Sequence, residues 1–175
     1  MGVTAAKMGK KLVMTASIVV YIAAYVVILV FPISFPTILV SLILYALGNS
    51  GYWAMIYAMS YDASIIEQLR SGEKPDGLYT SLIGLFMKFG NALGSVVVGV
   101  GLQIIGFSET AEVQTAAVVR GIRILYALSP AVILVAALLF TLVYPLTRQR
   151  YEQLADALEK KDAGEAYDEA VLKGL

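Results

Sequence analysis

Neither cysteine nor histidine occurs among the 175 residues. Their absence excludes disulfides, thiol nucleophiles and any triad built on an imidazole, and it removes the commonest metal ligand. Charge is scarce as well. Only 15% of the residues are charged against 59% hydrophobic, and thirteen basic residues cancel thirteen acidic ones. With no net field, the chain offers no electrostatic footprint for nucleic acid or for acidic substrates. A soluble domain of this size needs a polar surface that so few charges cannot supply, and the mean hydropathy of +0.77 agrees.

The charges that exist are unevenly placed, with none between Leu12 and Tyr61. That stretch is about twice the roughly 20 apolar residues that one membrane-spanning helix requires. The expected fold class is all-α integral membrane, with four transmembrane helices at about 12–31, 37–60, 78–107 and 124–146. They form a membrane region over 12–146, between an N-terminal segment at 1–11 and a tail at 147–175. The two prolines of Phe31-Pro32-Ile33-Ser34-Phe35-Pro36 stop the first helix in an uncharged hairpin. The first apolar run follows Lys7, Lys10 and Lys11 as a signal peptide would. It is too long for one, lacks a small-x-small cleavage site, and is followed by further apolar runs. Lys7, Lys10, Lys11, Arg70, Lys74, Arg148, Arg150, Lys160 and Lys161 flank one side of the spans, and only Arg120 and Arg123 the other. The positive-inside bias therefore puts both termini in the cytoplasm of a cell membrane. In the tail, Leu154 and Leu158 are one turn apart, which predicts a short surface helix.

Lys88 is the most informative residue. It stands near the middle of the third span, where insertion scales charge a lysine about 2.5–3.5 kcal/mol. It is about three helical turns from the nearer end, too deep for its stem to snorkel to water easily. Ser81, Lys88, Asn91 and Ser95 follow one another at spacings of seven, three and four, so they share a helical stripe. A polar stripe on an apolar helix faces a bundle interior or cavity, so Lys88 and Asn91 are candidates for a substrate or ion pathway. The first, second and fourth spans hold no acidic residue. An unpaired buried ammonium is costly, so a partner for Lys88 is expected outside this chain. Gly90 and Gly94 form a small-xxx-small pair that packing alone explains, with a flexing point as the alternative. In the second span, Tyr52, Trp53 and Asn49 lie deep, and Tyr45 accompanies them. Aromatic faces with amide and hydroxyl groups suit a polyhydroxylated ligand, because a sugar presents apolar CH faces and hydroxyl edges. Tyr21 and Tyr25 share a face of the first span, which packing explains equally well. No phosphate loop, paired intramembrane carboxylates or defensible metal-ligand spacing occurs, so neither catalysis nor a cofactor is expected.

The cytoplasmic loop expected after the second span reads Asp62-Ala63-Ser64-Ile65-Ile66-Glu67-Gln68-Leu69-Arg70-Ser71-Gly72-Glu73-Lys74-Pro75-Asp76-Gly77. It resembles the D-x-x-D-Y-x-E-x-x-T-G-x-R-x-E-G pattern of the glycoside–pentoside–hexuronide cation symporters, a branch of the major facilitator superfamily. Asp62, Glu67 near the middle, Arg70, Gly72, Lys74, Asp76 and Gly77 correspond; Ile65 departs from the second aspartate. Phe86-Met87-Lys88-Phe89-Gly90-Asn91-Ala92 is similar to that family's eleventh helix, and Tyr144-Pro145-Leu146-Thr147-Arg148-Gln149-Arg150-Tyr151 to the exit of its twelfth. The resemblance covers nearly the whole chain as helices nine to twelve of twelve, a partial major facilitator fold. It implies cation-coupled symport of a sugar or glycoside by alternating access, with sodium or proton as coupling cation. It also implies that the cation-binding acids lie in an N-terminal half this chain lacks, and that Lys88 takes part in coupling. A second reading stays open: a self-contained four-helix membrane protein that oligomerises as a scaffold or accessory subunit.

Overall fold

The computed structural model describes residues 9–73 and 75–172. Lys7 and Lys74, both used in the orientation argument, lie outside them. Five α-helices follow one another: α1 (Lys10–Val30), α2 (Phe35–Ser71), α3 (Asp76–Ile105), α4 (Ala116–Val143) and α5 (Arg148–Asp162), with a short 3-10 turn at Glu169–Leu172. The first four are long and apolar enough to cross a membrane.

Local chemistry sets the boundaries. The Ser34 side chain caps α2 by accepting from the Thr37 amide at 3.4 Å, with Pro36 in the first turn, where a missing N–H costs nothing. Thr115 and Thr147 cap α4 and α5 in the same way. Gly72 and Gly106 close α2 and α3 with φ of 80° and 79°, a left-handed conformation that side chains resist. At 37 residues, α2 extends about 55 Å, well beyond a hydrocarbon core of about 30 Å. The polar segment read as a loop from Asp62 onward is the last turns of that helix as far as Ser71, and Gly72 caps it. Likewise α4 begins at Ala116, so Arg120 and Arg123, outside the expected span of 124–146, are helical.

α1 packs along both α2 and α4, and the core between them contains Met14, Ile18, Tyr25, Met55, Ala127 and Leu134. The α1–α2 approach is close at Gly48, where a Cβ would stand 2.6 Å from the Tyr21 backbone nitrogen. A second cluster, of Ile65, Leu69, Leu146, Leu154 and Ala157, seats α5 on the projecting end of α2. α3 is different: none of its described residues is buried, and a Cβ at Gly84, Gly90, Gly94 or Gly99 would meet nothing within 4 Å. The small-xxx-small pair thus makes no close helix contact within the described residues.

Three cations bond to the C-terminal carbonyls of helices other than their own. Arg123 of α4 donates from Nε to Ile28 O at 2.6 Å, and from Nη2 to Leu29 O at 3.0 Å and to Phe31 O, at the end of α1. Lys11 of α1 donates to Leu142 O at 2.7 Å and Tyr144 O at 3.1 Å, at the end of α4. Lys161 of α5 donates to Gln68 O at 3.0 Å and Leu69 O at 2.7 Å, at the end of α2. Each reaches carbonyls at a helix C-terminus, the negative end of the helix dipole, and Gln68 O accepts the Gly72 amide as well.

Candidate functional site

The residues singled out in the sequence fall into three places. Lys88 and Asn91 lie on the open face of α3, both exposed. Among the described residues, Lys88 has no ion pair or hydrogen bond. Ser81 and Ser95 turn their hydroxyls back onto their own helix, donating to Gly77 O at 2.7 Å and Asn91 O at 2.9 Å. Among the described residues the stripe thus presents an ammonium and an amide without partners, with the serines already satisfied.

Asn49, Tyr52 and Trp53 lie on α2, all half-buried, with the Tyr52 and Trp53 rings edge-on at 5.8 Å. They belong to a larger aromatic column. Trp53 touches Tyr57 at 6.4 Å, and Tyr52 reaches Tyr21 at 6.2 Å. Tyr21 then meets Tyr45 at 5.1 Å and stacks on Tyr25 at 5.6 Å, and Tyr25 meets Tyr126 at 5.8 Å. Edge-to-face pairs at these separations exploit the ring quadrupoles. Tyr45, Tyr57 and Tyr126 keep exposed faces, so one side of the column is open. Tyr126 was not anticipated from the sequence; its only signal was position within the fourth span.

The motif residues occupy the third place, at the opposite end of the bundle from the Phe31–Ser34 turn. Asp62 is 2% exposed and forms an ion pair with Lys10. The Lys10 ammonium also reaches Ala58 O at 3.4 Å and sits 3.7 Å from the centre of the Tyr151 ring, a cation–π contact. The Tyr144 hydroxyl is hydrogen-bonded to the same carboxylate. Burial pushes the Tyr144 phenol up, and the charge of Asp62 adds to that, so the phenol stays protonated and donates. A buried carboxylate survives when its lone pairs are used, and here a lysine and a phenol use them. The pairing joins α1, α2, α5 and the Tyr144–Thr147 segment between α4 and α5. Sequence reasoning named Asp62 but not its partners, 52 or more residues away. Glu67 is half-buried and Arg70 exposed; Gly72 forms the left-handed cap; Asp76 and Gly77 open α3; Lys74 lies outside the described residues.

Residues 1–148 match the family described as MFS/sugar transport protein. The chain is 31% identical over 153 residues to an uncharacterized symporter, YnaJ, of Bacillus subtilis, covering 87% of this chain and 33% of that protein. It is 34% identical over 116 residues to the putative glycoside/cation symporter YagG of Escherichia coli, covering 65% of this chain and 25% of that one. A glucuronide carrier protein homolog of Escherichia coli is 27% identical over 128 residues, covering 73% and 28%. No solved structure matches. The chain spans a quarter to a third of the length of these relatives. Four membrane-length helices, a polar end motif tied to the first of them and a match over 1–148 converge: the chain belongs to the MFS/sugar transport family of the major facilitator superfamily.

Proposed function

We propose that this chain is the C-terminal part of a cation-coupled symporter that carries a sugar or glycoside by alternating access, with sodium or proton as the coupling ion. Secondary transporters of this kind bind substrate near the bilayer midplane, between two halves that rock against each other. The observation that carries the reading is Lys88: an exposed ammonium well inside a helix of membrane length, without an ion pair among the described residues, in a chain that covers a third or less of relatives named symporters. Lipid is no lasting neighbour for that charge, whereas a carboxylate on the other half of a transporter is. In the intact protein Lys88 balances the charge of the coupling-ion site, and Asn91 shapes its surroundings. Trp53 and Tyr52 offer ring faces to the sugar's CH surface, with Asn49 supplying an amide.

Transport by the intact protein tests this. Lys88→Ala should abolish cation-dependent accumulation in proteoliposomes and weaken dependence of the sugar KM on the cation. Unchanged coupling and unchanged substrate affinity would sink the role. Relatives named symporters favour this reading over a four-helix scaffold.

A further inference from the structure

All of α5 except its first residue lies beyond residues 1–148, the part of the chain that matches the family, yet its sequence fits the end of α2. Tyr151, Leu154, Leu158 and Lys161 follow one another at spacings of three, four and three, which places them on one face of α5. Asp62, Ile65 and Leu69 follow at three and four on α2 and make the matching face. Where the two faces meet, Ile65, Leu69, Leu154 and Ala157 are each 5% exposed or less.

This apolar seat has a polar contact at either end. At one, Lys161 donates to Gln68 O and Leu69 O. At the other, the Tyr151 ring lies 3.7 Å from the Lys10 ammonium, the same group that is paired with Asp62. The two anchors are about 15 Å apart along α5 at the usual rise per residue. Lys10 therefore serves two elements at once, a carboxylate on α2 and a ring on α5. The ring attracts the ammonium through its quadrupole and keeps water from the pair, which strengthens the charge–charge attraction. Such coupling is reciprocal: a seated tail favours the pair by the same factor as the pair favours the seat.

We propose that α5 is a latch on the Lys10–Asp62 pair, with Tyr151 as the positioning residue that ties the seating of the tail to the pair. A step that parts Lys10 from Asp62 frees the tail, and drawing the tail off α2 opens the pair to water. The latch rests on contacts inside the chain and holds whatever the substrate, so its failure leaves the symport reading untouched.

Ala157→Cys places a thiol in the seat, where a maleimide reaches it only when the tail lifts away. Labelling rates are measured on the intact protein in detergent, in a background without other cysteines. Lys10→Met should speed labelling about fivefold or more, whereas Lys10→Arg, which keeps a cation for both ring and carboxylate, should not. Tyr151→Leu should itself speed labelling, and adding Lys10→Met to it should change the rate little. Tyr151→Phe should stay slow and keep the response to Lys10→Met. Ala127→Cys, 1% exposed in the core of the bundle, reports unfolding and should stay unlabelled throughout. An undiminished Lys10→Met response in the Tyr151→Leu background would overturn the proposal, since the coupling would then run through Tyr144 or through general loosening. Where Lys10→Met opens Ala127→Cys as well, the ring alone decides: Tyr151→Leu as slow as Tyr151→Phe would overturn it.

Discussion

Asp62 shows what a single residue gains from its neighbours. As a carboxylate at 2% exposure it would be strongly destabilising alone, yet Lys10 and Tyr144 take up its lone pairs. Breaking one side of a buried ion pair typically costs about 3–5 kcal/mol, because the other charge is left stranded. We therefore expect Lys10→Met to lower the thermal midpoint of the detergent-solubilised chain sharply. Adding Asp62→Asn to that background should recover much of the loss, since an amide needs no counter-charge. A double variant as unstable as the sum of the two singles would show that the pair does not interact. The sequence made Asp62 visible as part of a motif and Lys10 visible only as one basic residue before an apolar run. Nothing local links positions 10 and 62, because the pairing exists only once α1 and α2 lie antiparallel.

Glycine separates tight from open helix faces at the scale of elements. Gly48 lets α2 lie against the Tyr21 backbone, where an added methyl would stand at 2.6 Å, and a backbone cannot give way as a side-chain tip can. Gly48→Ala should cost about 1–3 kcal/mol in unfolding of this chain, as overpacked contacts do. Gly90→Ala meets nothing within 4 Å and should raise stability by up to about 1 kcal/mol through helix propensity alone. Parallel denaturation of the two variants decides this, and a larger loss from Gly90→Ala would reverse the assignment. Both glycines sit in apolar spans, and Gly90 belongs to the better small-xxx-small pattern. Among the described residues the close approach falls at Gly48 and not at the patterned pair, because close approach depends on which face a neighbouring helix covers.

For the whole molecule, the cross-helix cations explain an exception in the charge count. Arg123 sits on the side that the positive-inside bias leaves poor in basic residues, and it is used there as a cap on α1. A cation held by three carbonyls is a structural member first and a topology signal second. Single cysteines should report the two sides: Ser108→Cys near the α3–α4 turn and Gln153→Cys on α5, both exposed. In oriented vesicles an impermeant maleimide should label them from opposite faces, with Gln153→Cys reached from the cytoplasmic one. Labelling of both from one face would contradict the arrangement of the spans.

The sequence by itself determined that the chain is helical and membrane-spanning, how many spans it has, and where prolines and glycines divide them. It did so because burying a backbone in lipid demands long uncharged helices, which are visible residue by residue. It also displayed Lys88 as an anomaly, since a charge in such a run has no local excuse. Only the tertiary structure decided that Asp62 belongs to Lys10, that three cations cap helices other than their own, and that tyrosines from α1, α2 and α4 form one column. Those are contacts between segments distant in the chain, set by how helices cross and which ends meet, and no spacing along a single helix encodes them.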